Sequence, residues 1–208
     1  PGKNMMDLGG KPLTFWTIDS ALQSKKIDKI IFSSNSEQYI KKVNDYFKTN
    51  ENIFIFDKRD EKHSRTKSKI FDYLKSDLIQ KCKLSDNDIL VQLLPTSPLR
   101  NSKHIDEAVD LCIQSNKGVF SVCEYDFHLS FAMELENNSW YPLSKNSPLI
   151  TGNTQSQDQT KYFHPNGSIN CLPVNLLKKK NSSIYIDCIA YLMDKIDSFD
   201  IDTHSDFK

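Results

Sequence analysis

From Thr14 to Ser24 the apolar residues Phe15, Ile18 and Leu22 recur at helical spacing, and Ile30-Ile31-Phe32 follows as a short continuous apolar run. That pattern predicts a helix and then a buried strand. The alternation repeats. Tyr39, Ile40, Val43 and Phe47 mark a second helix, Ile53 to Phe56 a strand, Ile70, Leu74, Leu78 and Cys82 a third helix, and Ile89 to Leu94 the next strand. A fourth helix follows Ser102, the predicted N-cap, with Asp106 and Glu107 early and Ile105, Val109 and Cys112 on one face. Val119 to Cys123 is a further strand. Strands alternating with helices of this length predict an α/β fold, a mostly parallel sheet with helices on both faces. Ligands of such sheets bind beyond the carboxyl ends of the strands.

After Cys123 the rhythm breaks. Phe131 to Asn170 is polar and rich in Asn, Gln, Ser and Thr, so residues 126–165 read as an excursion from the sheet with a hairpin around Glu136-Asn137-Asn138. Phe131, Met133, Leu135, Trp140 and Tyr141 are apolar bodies in that polar segment, which predicts a homodimer contact. Regularity returns with Asn170 to Leu172, a short helix from Pro173 to Lys179, strand-like Tyr185 to Leu192, and a last strand ending at Asp202. One domain over residues 1–208 is expected.

Composition narrows the function. The 208 residues are 38% hydrophobic and 26% charged, enough for a core and too balanced for disorder. Formal net charge is zero and the lysines are scattered, so there is no basic footprint for nucleic acid. The run Lys178-Lys179-Lys180 reads as a solvated helix end. No apolar stretch reaches the ~20 residues of a membrane span, and no signal-peptide pattern opens the chain. A cytoplasmic protein with neither nucleic-acid nor membrane partner is expected. The five cysteines, Cys82, Cys112, Cys123, Cys171 and Cys188, lack C-x-x-C pairing, and the histidines are dispersed. They predict reduced, mostly hydrophobic thiols and no zinc site.

Four segments carry candidate chemistry. In Ser198-Phe199-Asp200-Ile201-Asp202-Thr203, an extended backbone puts Asp200 and Asp202 on one face and Phe199 and Ile201 toward the core. Two carboxylates roughly 7 Å apart repel each other unless a cation lies between them or one is protonated. Carboxylates with open neighbouring positions suit Mg²⁺, which also takes phosphate oxygens. Thr203 and Asp206 resemble a helix start. Pro95-Thr96-Ser97-Pro98-Leu99-Arg100 leaves a strand as a stiff loop carrying two hydroxyls and a guanidinium. Pro165-Asn166-Gly167 is a turn signal. Pro1-Gly2-Lys3-Asn4 with Gly9-Gly10-Lys11-Pro12-Leu13 precedes a helix and matches no P-loop.

Taken together, PGKN and GGKPL at the start, PTSPLR after a middle strand, HPNGSIN after the excursion and DIDTHSDF near the end resemble the CMP-sialic acid synthetase family across the whole chain. The resemblance implies a nucleotidyltransferase fold, a homodimer joined by the excursion, CTP and an acidic nine-carbon sugar as substrates, and Mg²⁺ as cofactor. It implies Lys3, Asn4 and Arg59 in the nucleotide pocket, Thr96, Ser97, Gln157 and Asn166 lining the sugar side, and Asp200 and Asp202 on the metal. Arg100 or Lys161 is available for the sugar carboxylate. The chain departs from the family at Leu94 for glutamine, Ser156 and His164 for arginines, Asp60 for proline, and Ser33-Ser34-Asn35-Ser36 for an acidic segment. The resemblance also implies an opening strand and Gly-rich loop upstream of Pro1. A metal-dependent glycosyltransferase using an Asp-x-Asp pair and a non-catalytic nucleotide-binding homologue remain alternatives.

Overall fold

The computed structural model describes residues 2–63, 69–179 and 183–207; Pro1 of the opening motif and Lys180 of the lysine run lie outside them. The first half folds as its apolar spacing predicts. Helix α1 (Leu13–Leu22) turns Phe15 and Ile18 inward. Strands β1 (Ile30–Ser34) and β2 (Phe54–Lys58) pair in parallel, and α2 (Glu37–Tyr46) connects them. Ser36 caps α2 by accepting the Tyr39 N–H at 3.4 Å. Phe15, Ile18, Val43 and Phe47 close over Phe32, Phe54 and Phe56 as one core.

Residues 70–81 form α3, a continuous helix wound as a π-turn over Leu74–Leu78. It buries Tyr73, Leu74, Leu78 and Ile79 against Leu90 of β3 (Ile89–Leu93). Ile89, Val91 and Leu93 pack on the other side with Ile105, Ala108, Val109 and Cys112 of α4 (Ser102–Ser115) and Val119 of β4 (Gly118–Glu124). Alternation along β3 thus gives each face its own helix, as an α/β fold requires. The N-cap of α4 is Asn101 rather than Ser102. Asn101 Oδ1 accepts the His104 N–H and His104 Nδ1 accepts the Asn101 N–H, both at 3.3 Å, so the cap is reciprocal.

Beyond β4 the chain leaves the sheet as an arm. Its hairpin, β5 (Met133–Glu136) with β6 (Ser139–Pro142), turns at Asn137-Asn138, where both residues take positive φ. That mirror-image turn suits asparagine and lies where the sequence predicts it. Leu135 is 76% exposed, and Met133, Trp140, Tyr141 and Leu143 are exposed with it. The neck of the arm is closed by the Tyr125 N–H, which donates to the Tyr162 carbonyl at 3.0 Å.

The return from the arm departs from expectation. Phe163–Pro173 is a single strand, β7, antiparallel to β3 on one side and to β4 on the other. Strand β8 (Cys188–Leu192) then adds parallel to β4, giving the order β8-β4-β7-β3. Three strands share one direction and β7 opposes them, so the sheet is mixed. Pro165-Asn166-Gly167 is not a turn but a bulge inside β7. The register against β4 shifts between Phe120 and Val122, and Gly167 has a φ of 70°. A bulge bends a strand without ending it, and glycine supplies the left-handed backbone at no Cβ cost. Helix α5 (Val174–Lys179) follows, with Val174 and Leu177 on the α3 side of the sheet.

Residues 199–202 form no strand, although Phe199 is extended. The turn Ile196–Ser198 restarts the alternation at Asp200, so Phe199 is exposed instead of core-facing. Among the described residues, β1 and β2 form a ladder of their own, apart from the four-stranded sheet. None of the described helices is long and apolar enough to cross a membrane.

Candidate active site

Three segments distant in sequence converge at the carboxyl end of β3. Gly2, at φ 88°, opens a single turn over Lys3–Met5. Thr14 Oγ1 donates to the Asn4 carbonyl at 2.7 Å and the Leu13 N–H to the Met6 carbonyl at 2.9 Å, which seat that turn on α1. From there Lys3 Nζ reaches Asp202 Oδ1 at 3.2 Å. The Asp202 segment is held in turn by the Ile201 N–H, which donates to the Thr96 carbonyl at 2.8 Å. The opening turn also touches α2, since a Cβ on Gly2 would lie 3.6 Å from the Tyr39 hydroxyl. It therefore spans from the helix that follows β1 to the loop that follows β3.

Ile201 is 1% exposed, with Asp200 and Asp202 in solvent on either side of it, as the period of two predicts. Asp206 closes the turn beyond. Its Oδ2 accepts the backbone N–H groups of Thr203 at 2.7 Å and Asp202 at 2.8 Å. These two bonds, with the charge of Lys3 nearby, hold its carboxyl below the ordinary range. Among the described residues no three His, Cys, Asp or Glu side chains form a closed metal cage. Asp200 and Asp202 offer hard oxygens and open positions, a donor set that fits Mg²⁺ completing its shell with phosphate and water.

A second polar group lies at the carboxyl ends of β1 and β2, and sequence reasoning missed most of it. The Tyr73 hydroxyl donates to the buried Asp57 carboxylate, and Ser33 Oγ donates to the same oxygen at 2.6 Å. Lys81 Nζ stands 3.8 Å from the other oxygen. Burial first, and then the Asp57 contact, push the Tyr73 hydroxyl well above the ordinary tyrosine range. Arg59 borders this group, its guanidinium 5.6 Å from the Tyr73 ring and its backbone N–H on the Ser34 carbonyl at 2.9 Å. Its Nε is buried without a hydrogen-bond partner. An aspartate closing an apolar run was the one available signal, since the helical repeat of Ile70, Leu74, Leu78 and Cys82 does not mark Tyr73.

Several expected site residues are engaged in contacts within the scaffold. Arg100 is 1% exposed and donates to the Ser168 carbonyl at 2.7 Å, the Thr17 hydroxyl at 2.7 Å and the Leu94 carbonyl at 3.2 Å. Burial pulls its pKa down to about 9. It straps the Pro95–Arg100 loop to β7 and α1 and is closed to a sugar carboxylate. Asn166 is buried too. Its Oδ1 accepts the Ser121 hydroxyl and the Ser168 N–H, and its Nδ2 donates to Ser198 Oγ at 2.8 Å. It fixes the bulge to the turn ahead of Asp200. Ser97 is fully buried, its hydroxyl unpartnered, whereas Thr96 is half-buried beside it. Gln157 is on the arm, donating to Gln155 Oε1 at 2.7 Å, and Lys161 pairs with Glu124 at 3.2 Å near the neck.

A family model described as cytidylyltransferase matches residues 1–167. This chain belongs to the cytidylyltransferase family. An N-acylneuraminate cytidylyltransferase of Streptococcus agalactiae serotype V (strain ATCC BAA-611 / 2603 V/R) is 31% identical over 210 residues, 100% of this chain and 48% of that one. A pseudaminic acid cytidylyltransferase of Campylobacter jejuni subsp. jejuni serotype O:23/36 (strain 81-176) is 27% identical over 198 residues, 89% of this chain and 80% of that one. Among solved structures, a 4-diphosphocytidyl-2C-methyl-D-erythritol synthase superposes with a TM-score of 0.71 over 99% of this chain and 91% of its own. At 9% identity that likeness shows a shared fold. The chain spans about half the length of the N-acylneuraminate relatives it matches. Of the cytidylyltransferase residues expected in the site, Lys3, Thr96 and Asp202 come together, with Asp200 adjoining. Arg59 stands in the second polar group.

Proposed function

We propose that this cytidylyltransferase moves CMP from CTP to the anomeric hydroxyl of an acidic nine-carbon sugar, a nonulosonic acid, and releases pyrophosphate. The observation that supports this most directly is the convergence of Lys3, the Thr96 loop and the exposed Asp200–Asp202 pair beyond one strand end. In this reading the sugar hydroxyl attacks the α-phosphorus in line, the new P–O bond forms and the bond to pyrophosphate breaks. Lys3 supplies a cation for the phosphates, Asn4 lies beside it, and Arg59 faces the cytidine side. Asp200 and Asp202 hold Mg²⁺, which when bound screens the charge of the triphosphate. Thr96 offers its hydroxyl to the sugar. The sugar's carboxylate needs a cationic partner, and Lys161, exposed and paired with Glu124 near the neck, can exchange that partner for substrate. We further propose a cytoplasmic homodimer joined through the arm, supported by the exposed Leu135, Trp140 and Tyr141; light scattering at micromolar concentration reads it.

The test supplies CTP with a panel of nonulosonic acids and follows pyrophosphate across a magnesium titration. Asp202→Asn removes a positioned charge, so turnover is expected to fall about 10²-fold or more with little change in folding. Near-normal turnover in both Asp200→Asn and Asp202→Asn sinks the assignment. CTP binding without pyrophosphate from any sugar favours a non-catalytic homologue, and transfer from a nucleotide-sugar without pyrophosphate favours a glycosyltransferase.

A further inference from the structure

Cys123 of β4 and His164 of β7 are direct cross-strand partners at the carboxyl end of β4. Their side chains meet, with Sγ 3.3 Å from Nε2. The other ring nitrogen, Nδ1, lies 3.1 Å from the Pro165 carbonyl oxygen. A carbonyl only accepts, so in the neutral ring Nδ1 carries the proton and Nε2 presents its lone pair to the thiol. The Tyr125 ring packs on the imidazole at 4.6 Å between centroids and holds it in place. Cys112 and Cys171 are buried among the apolar side chains between α4 and the sheet. Burial pushes both thiols up, Cys112 to about 11, and Cys82 is pushed up for the same reason.

We propose that the Cys123–His164 pair is a peroxide-oxidisable thiol site, in which the imidazole acts as base for the sulfur. His164 Nε2 takes the thiol proton as Cys123 Sγ attacks one oxygen of a hydroperoxide. The S–O bond forms, the O–O bond breaks, and the departing oxygen collects the proton from the imidazolium. With hydrogen peroxide the products are a sulfenic acid and water, the sulfur giving up two electrons. Cys123 is only 5% exposed, so the oxidant has to be small. The added oxygen needs the space between sulfur and ring, and so displaces His164. Two residues on, Asn166 holds the Ser198 turn ahead of Asp200, so the displacement is transmitted toward the acidic pair. This site is independent of the transferase reading.

The experiment treats the whole protein with limiting hydrogen peroxide, traps sulfenic acid with dimedone and maps it by mass spectrometry over time. Cys123 is expected to be trapped about 10-fold faster than Cys112 and Cys171, consistent with base-assisted thiolate formation. His164→Asn keeps an N–H for the Pro165 carbonyl but removes the base, and should slow trapping at Cys123 about 10-fold, with a melting curve to verify folding. Trapping at Cys123 no faster than at Cys112 and Cys171 overturns the proposal. So does an unchanged Cys123 rate in a folded His164→Asn protein. The comparison among wild-type cysteines decides the question even if that variant does not fold.

Discussion

Replacing Arg100 by alanine separates a scaffold role from a ligand role. The substitution removes a fully buried side chain and leaves the Ser168 carbonyl and Thr17 hydroxyl without their 2.7 Å donors. Hydrogen bonds from a charged group contribute about 1.5–3 kcal/mol each, and the vacated volume adds a cavity cost of similar size. Against this stands the relief of a guanidinium buried with no carboxylate beside it among the described residues, whose cost is visible in a pKa pulled down to about 9. The net expectation is a loss of about 3 kcal/mol, which for a chain of this length lowers Tm by roughly 6–12 °C. Arg100→Met refills the volume without a charge to solvate, and should recover about 1–2 kcal/mol of that loss. Thermal and urea unfolding of the three proteins give the stabilities, and CTP titration gives the affinity. Unchanged stability in Arg100→Ala together with a large loss of ligand affinity would refute the strap and return Arg100 to the binding surface.

Gly118 faces its parallel partner Cys188, and a Cβ there would lie 2.5 Å from the Cys188 sulfur. Gly118→Ala is therefore expected to cost about 1–3 kcal/mol and Cys188→Ala in the same chain to restore most of it; absence of rescue in a denaturation series would place the strain elsewhere. Asp206 has a folded pKa below its ordinary 3.8, because the Thr203 and Asp202 N–H groups favour the carboxylate. Its contribution is present above the unfolded pKa and lost as pH falls through the folded one. The Asp202 and Thr203 amide signals in NMR should titrate together with a midpoint below 3.8, and a midpoint at or above that value contradicts the cap.

Local periodicity carried much of the fold. Phe15, Ile18, Val43 and Leu78 announced their helices because burial follows a helical repeat, and Asn137-Asn138 announced its hairpin because few residues accept positive φ. The strand Phe163–Pro173 was hidden, since Pro165-Asn166-Gly167 has the composition of a turn while a neighbouring strand on each side makes it a bulge. The Asp200–Asp202 alternation was readable around Ile201. Phe199 was not, because the preceding turn resets the period. Arg100 read as a ligand group on residue type, and Asn166 through the family resemblance. Only tertiary contacts with Ser168, Thr17, Ser121 and Ser198 reveal that the Arg100 terminal nitrogens and the Asn166 amide are bonded inside the protein, while Arg100 Nε is buried without a partner. The Tyr73–Asp57 and Cys123–His164 contacts depend on register and helix docking, which no local pattern encodes.

The closed neck between Tyr125 and Tyr162 makes β4 and β7 the two legs of one antiparallel hairpin, with the whole arm as its loop. Closing a loop costs entropy that grows only with the logarithm of its length. Everything between those tyrosines is therefore topologically a graft. Short of Lys161 at its base, it can be lengthened, trimmed or exchanged for a short reverse turn while the sheet keeps its strand order.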